Sequence, residues 1–180
     1  MKKNLILLTF LASIGTLCFS QDKEAKDPFD LSASSSKIEE LGVITKAAVD
    51  ELEIRARSLF NEEKYEDAIP VLEEYSKKAN WLANMLAATL DPYYGASYDD
   101  RKDYPYKKIQ PLIPLETMAN EYKSKRNIAI AMRGECLLKI GNKKEAIPVL
   151  LNALDLIDID NETWWQRTRN NLLSIIEVKI

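Results

Sequence analysis

Ala68-Ile69-Pro70-Val71-Leu72 and Ala146-Ile147-Pro148-Val149-Leu150 are two copies of one pentapeptide, and a weaker version, Leu112-Ile113-Pro114-Leu115, lies between them. From Ile113 to Ile147 the spacing is 34 residues; from Ile69 to Ile113 it is 44, one such period plus ten. Self-similarity at a period of this size is the mark of a solenoid, in which each repeat buries its apolar face only against its neighbours. The proline fixes the same point in every copy. Proline breaks a helix interior but is tolerated in the first turn, where its missing N–H has no intrahelical partner. A helix is therefore expected to start about one turn before Pro70, Pro114 and Pro148.

Outward from these points the chain reads as helix after helix. Ser36 with Glu39 forms a capping box. Ile38, Leu41, Thr45, Ala48, Leu52 and Leu59 then recur at helical spacing, a face running to about Phe60, with Gly42 as the place where it can kink or split. Asn61–Lys64 is a polar turn. The next helix carries Ala68, Ile69, Leu72 and Tyr75 and is expected to end near Lys78. Trp81–Leu90 reads as a separate short helix stopped by Asp91-Pro92, and helix resumes from about Pro114 to Tyr122. Asn127–Ile140 is the clearest amphipathic helix, ended by Gly141-Asn142. Glu145–Ile157 and Thr163–Val178 complete the series. No stretch alternates as a strand does, so the fold is expected to be all-α, with seven or eight helices.

The repeats resemble tetratricopeptide repeats over about residues 49–178. The family pattern of large, Leu, small and large on the first helix falls on Ile130, Arg133, Gly134 and Leu137, followed by Ala146, Leu150 and Ala153 on the second. In the first repeat it falls on Leu52, Arg55, Ala56 and Leu59, then Ala68, Leu72 and Tyr75. Trp164, Arg167, Thr168 and Asn171 match a first helix alone. The middle repeat is degenerate, with Ala119 as its clearest small position. The resemblance implies a right-handed helical-hairpin solenoid of about three repeats plus a C-terminal capping helix. Small residues at Ala56, Gly134, Ala68 and Ala146 would let helices approach within the ~8–10 Å of close packing. The chain departs from the pattern at Arg55, Arg133 and Arg167, which stand where the family has leucine. An arginine there can pack its stem and carry its guanidinium to water or an acid.

Such repeats bind peptides or protein segments on the concave face lined by first helices. Carried onto this chain, that face holds Glu53, Arg57 and Phe60, then Ala131, Glu135 and Leu138, then Trp165 and Arg169. Arg57 and Arg169 are candidates to pair with acidic groups of a ligand. The basic carboxylate clamp of chaperone-binding relatives has no match here.

Residues 91–111 differ in kind. They hold Tyr93, Tyr94, Tyr98, Tyr104 and Tyr106 around a charged centre, Asp99 to Asp103, in a loop longer than the ~12–15 residues that ordinary connections reach. Tyrosine gives large amphipathic contact area at low entropy cost. The loop either recognises something, a protein or a small ligand or glycan, or pins itself to the helices. Residues 93–110 are expected to be dispensable for folding and needed for binding.

Lys2 and Lys3, the uncharged apolar stretch Leu5–Leu17 and the small residues Cys18 and Ser20 read as a cleaved export signal over residues 1–20. The protein is then periplasmic or secreted. Lipid attachment at Cys18 is disfavoured because Leu17, just before it, is not small. Residues 21–36 read as a flexible polar leader, leaving 37–180 as the domain. Without the signal the chain keeps 23 basic and 28 acidic side chains, a net of −5, with no basic stripe for nucleic acid and no second membrane-length apolar run. Oligomeric state is not legible.

The chain has no histidine, which removes Ser-His-Asp and Cys-His catalysis and all histidine metal sites. Cys136 would be alone after signal removal and reads as a small buried hydrophobe. Asp158, Asp160 and Glu162 alternate in a turn that lacks the glycine and ligand count of a calcium loop, so a helix-capping turn is expected. No catalytic residue, cofactor site or metal site is assigned; the expectation is a non-enzymatic scaffold with a protein or peptide partner.

Overall fold

Gly42, with a φ of +71°, ends the first helix and splits the apolar run that precedes Phe60. The computed structural model describes residues 32–93 and 95–178. The expected export signal, most of the leader and Tyr94 lie outside them. Among the described residues all regular structure is helical, in eight helices: α1 Ser32–Leu41, α2 Lys46–Asn61, α3 Tyr65–Ala88, α4 Tyr98–Lys102, α5 Tyr106–Ile109, α6 Ile113–Lys139, α7 Lys143–Leu156 and α8 Glu162–Ile175. None of the described helices is long and apolar enough to cross a membrane.

The turns repeat as closely as the sequence does. After α2, Lys64 N–H donates to Leu59 O at 2.9 Å and Glu63 N–H to Phe60 O at 3.1 Å; after α6, Asn142 N–H donates to Leu137 O at 2.8 Å and Gly141 N–H to Leu138 O at 3.0 Å. This is the double bond of a Schellman stop, which requires a left-handed residue. Gly141 supplies it at φ +84°, and Glu63 takes it at φ +57° without being glycine. The three following caps share one conformation, with ψ of 62° at Lys64, 64° at Asn142 and 62° at Asn161. Thr45 and Asn142 cap their helices through side-chain oxygens.

Three boundaries differ from the sequence reading. Helix α1 begins at Ser32, so the Ser36–Glu39 pair lies inside it rather than at its start. Pro70 and Pro148 sit in the second turn, because α3 and α7 begin five residues before them, at Tyr65 and Lys143. The carbonyls deprived of a donor belong to Glu66 and Lys144, both exposed, where water can serve them. Pro114 does occupy a first turn. Third, the breaks expected after Lys78 and before Asn127 do not exist. Helix α3 runs unbroken for 24 residues and α6 for 27, so the middle repeat is not a separate hairpin. Neither stretch, 79–80 nor 123–126, contains glycine or proline to stop a helix.

These two long helices pack antiparallel and make the most extensive contact in the molecule. Arg126 Nη1 donates to Asn80 Oδ1 at 2.6 Å, and seven residues further along each helix Arg133 pairs with Glu73 at 3.1 Å, which fixes the register. Helix α2 lies on α3, α7 on α6, and α8 on both α7 and α6. The main core joins Val49, Ala56 and Phe60 with Ala68, Leu72, Tyr75 and Ala79, and with Tyr122, Ala129, Met132 and Cys136. A second cluster packs Leu137 against Ala146 and Leu150. Gly134 is there because nothing larger fits: a Cβ at that position would lie 2.7 Å from Leu150 Cδ2.

Asp50, in the second turn of α2, meets Tyr122, and α7 ends beside Asn127, whose Nδ2 donates to Leu156 O at 2.5 Å. The insertion with α4 and α5 joins α3 to α6.

Candidate functional site

The expected concave face can be built from α2, the second half of α6, and α8. Along it α2 and α6 run parallel: Asp50 meets Tyr122, and one turn later Glu53 meets Lys125. Helices α6 and α8 run parallel too, with Ala131 beside Trp164 and Trp165 and Glu135 beside Arg167 and Asn171. Three parallel helices thus share one face.

At the α2–α6 seam lies a chain of charges. Lys46 pairs with Asp50 (2.5 Å), and Tyr122 Oη donates to the other oxygen of Asp50, also at 2.5 Å. Lys125 bridges Glu53 (3.0 Å) and Glu121 (2.8 Å), and Arg57 closes on Glu53 at 2.9 Å. Burial alone would raise the Glu53 pKa, but Lys125 and Arg57 together outweigh it and hold the carboxylate charged. Hydrogen bonds from Lys46 and then Tyr122 hold Asp50 below its usual range. Tyr75 Oη is buried beside Glu53 without a well-formed hydrogen bond; burial, and then that carboxylate, push its pKa up.

At the α6–α8 seam Glu135, 5% exposed, takes a bidentate pair from Arg167 Nε (2.6 Å) and Nη2 (2.7 Å) and a third bond from Asn171 (3.1 Å). Burial pushes its pKa up, and the three bonds reverse the shift, leaving it lowered. The Arg167 guanidinium lies 5.2 Å from the Phe60 ring centre and 5.1 Å from that of Trp164, and the two rings are 6.4 Å apart.

That clamp corrects part of the sequence reading. Phe60, Ala131 and Glu135 were expected on the open face, but all three are buried. Phe60 and Trp164 meet across α6, and Arg167 lies against both rings while bonding Glu135, so the middle of the face is sealed. Arg57, Leu138, Trp165 and Arg169 remain partly accessible, with Arg169 over the Trp165 ring at 5.8 Å. Glu53 is half-buried and committed to its two cations. Of the arginines at leucine positions, Arg133 and Arg167 reach acids and Arg55 is exposed. Arg133 Nε is buried without a hydrogen bond.

Sequence reasoning missed Asp50, Tyr122, Lys125 and Asn171. Tyr122 and Lys125 are one turn apart, a signal visible only when residues 113–139 are read as a single helix.

The 91–111 insertion is not a structureless loop. Ser97 caps α4 by accepting from Asp100 N–H, and Arg101 Nε donates to Ala96 O at 3.0 Å. Tyr93 and Tyr104 pack edge to face at 5.4 Å, with Arg101 over Tyr93. Two tyrosines therefore hold the insertion together, while Tyr98 and Tyr106 are 76% and 67% exposed. The turn between α7 and α8 is an Asx turn in which Asp160 N–H donates to Asp158 Oδ1 at 3.1 Å. Among the described residues no group of three His, Cys, Asp or Glu side chains is placed to hold a metal ion. No family model, curated protein or solved structure matches the chain.

Proposed function

We propose that the chain is an exported, non-enzymatic scaffold that binds a protein or peptide segment along the face formed by α2, the second half of α6, and α8. The observation that carries this reading is the parallel alignment of those three helices, which leaves Arg57, Leu138, Trp165 and Arg169 at one surface. An extended segment lying across parallel helices meets a side chain from each in turn. The mixture of aromatic, aliphatic and guanidinium groups suits a peptide with both apolar and acidic positions.

We propose further that α2 with the first half of α3, and the second half of α6 with α7, are tetratricopeptide-like units, with α8 as the cap. Their matching Schellman stops and their buried small residues, Ala56, Ala68, Gly134, Ala146 and Thr168, support this. The titratable groups favour binding over chemistry. Glu53 and Glu135 are locked in ion pairs as carboxylates, and burial followed by the Glu135 charge pushes the Cys136 thiol up to about 12. Export rests on the pattern of residues 1–20.

A photo-crosslinking amino acid at Leu138 tests the face, with one at Leu151, exposed on α7, as control. Crosslinks to a protein or peptide at 138 and not at 151, lost in Arg57→Glu/Trp165→Ala, are expected. Equal labelling at both positions would refute the groove. The exposure of Tyr98 and Tyr106 favours a second reading, a glycan stacked on the insertion; it would survive the face variant and be lost in Tyr98→Ser/Tyr106→Ser.

A further inference from the structure

The α2–α3 and α6–α7 turns stand at equivalent points of the sequence repeat and carry opposite charge. Residues 61–67 hold four acids, Glu62, Glu63, Glu66 and Asp67, against one lysine, Lys64. Residues 139–145 hold three lysines, Lys139, Lys143 and Lys144, against one acid, Glu145. All of these charged side chains are exposed. Lys64 pairs with Glu62 at 2.7 Å, but among the described residues Glu63, Glu66, Asp67 and the three lysines of the second turn have no ion pair. Arg55 borders the cleft beside Glu66 and Asp67 without pairing with either. The two turns lie side by side: Ile140, 39% exposed, closes a cleft of about 300 Å³ whose other walls are residues 63–67. The edge is open at Gly141, where a Cβ would meet nothing within 4 Å. Local stability accounts for the acids and not for the lysines. Glu66 and Asp67 stand in the first turn of α3, where a helix N-terminus favours negative charge, whereas Lys143 and Lys144 open α7, where it disfavours positive charge.

We propose that this edge is a contact between two copies of the chain, the acidic turn of each set against the basic turn of the other about a twofold axis. The charge pattern selects this occupant. A partner of one sign, such as a nucleic acid or a basic peptide, gains at one turn and loses at its neighbour. A second copy related by a twofold gains at both, because a patch carrying both signs then meets itself with the signs exchanged. Ile140 and the partly exposed Tyr65 sit where the turns adjoin and supply the apolar centre of the contact. Association closes at two copies, since each copy uses both of its turns in the one contact. Two seven-residue turns a side fall short of the ~20–30 residues of a stable interface, so the dimer exchanges readily with monomer. The contact does not rest on the peptide face proposed above.

Sedimentation velocity of the purified protein over a range of concentrations, at low and high salt, reads the association, and far-ultraviolet circular dichroism checks that each variant is folded. We expect a monomer–dimer equilibrium that stops at two copies and is loosened by high salt. Glu63→Lys/Glu66→Lys gives a chain whose two turns are both net basic, and Lys143→Glu/Lys144→Glu one whose turns are both net acidic. Each alone should dimerise at least about tenfold more weakly, since the twofold removes four exposed pairs at roughly twofold per pair. An equimolar mixture of the two should recover a one-to-one dimer, because every basic turn then meets an acidic one. A chain carrying all four substitutions should again dimerise with itself. A wild-type protein that stays monomeric at every concentration, association that grows beyond two copies or ignores salt, or reversed chains that dimerise as well alone as mixed would each overturn the proposal. So would a four-substituted chain that is folded and monomeric.

Discussion

Replacing Gly134 by alanine adds one carbon where α6 meets α7, and the added Cβ would stand 2.7 Å from Leu150 Cδ2, 2.9 Å from Leu150 Cγ and 3.3 Å from Val149 Cγ1. Carbon pairs prefer about 3.5–4.0 Å, so the first two distances fall short by roughly 0.8 Å. Rotating Leu150 away is not a cheap escape, because that side chain is 0% exposed and packed beside Leu137 and Ala146. Helix α7 must shift instead. Overpacking of this kind costs about 1–3 kcal/mol, against up to ~1 kcal/mol gained by removing glycine from a helix interior. The net for Gly134→Ala is a loss of about 1 kcal/mol, and Gly134→Leu should lose more than ~3 kcal/mol. In a chain of this size 1 kcal/mol is about 2–4 °C of melting temperature. Urea and thermal unfolding followed by far-ultraviolet circular dichroism read both variants. The discriminating step is a double-mutant cycle with Leu150→Ala, which itself costs about 2–5 kcal/mol. With Leu150 truncated the clash is gone, so adding Gly134→Ala should now stabilise by up to ~1 kcal/mol. A Gly134→Ala effect of the same sign and size in both backgrounds would refute the packing argument.

Three further outcomes follow from the polar seams and the insertion. Arg167→Met should destabilise by about 1–3 kcal/mol, discounted because Arg167 is partly exposed, since it leaves buried Glu135 with Asn171 alone. Because Glu135 titrates lower folded than unfolded, its stabilisation is present above the unfolded carboxylate range and is lost as pH falls through the folded value; Glu135→Gln should flatten that acid limb in urea unfolding, and an unchanged limb would count against the assignment. Replacing residues 95–104 by a short Gly-Ser linker should change the melting temperature by under about 3 °C, since the bonds lost are internal to the insertion and closure entropy changes by only ~0.6 kcal/mol per doubling of length; a collapsed transition would show that the tyrosines belong to the core.

Helix type and the repeated stops were legible because they rest on local signals. Gly42, Gly141 and the doubled Ala-Ile-Pro-Val-Leu act within a turn or two of where they stand, whereas Thr45, read as part of a helix face, is instead the cap of α2. The merging of helices into α3 and α6 was hidden for the opposite reason. Trp81–Leu90 reads as a separate helix on its apolar character, while the backbone between Lys78 and Trp81 carries no residue that stops a helix. The candidate face was legible in its membership but not in its depth. Family spacing put Phe60, Ala131 and Glu135 on one side, but only the tertiary approach of Phe60 to Trp164 decides that they are covered. Arg167 shows the same limit: its departure from leucine was visible, while its partner lies 32 residues away.

The unbroken α3 and α6 also set the order in which a growing chain can fold. Asp50 finds its tyrosine 72 residues later, and the apolar sides of Val49, Ala56 and Leu72 close on Met132 and Cys136. While synthesis has reached only the insertion, α2 and α3 therefore expose half of a core with nothing to cover it. Loop closure over that distance is paid before its contacts form. The nascent N-terminal half is therefore expected to close its core only once the second half of α6 has been made. Under the proposed export, such a delay would leave the first hundred residues without finished structure to be pulled apart as they cross a membrane.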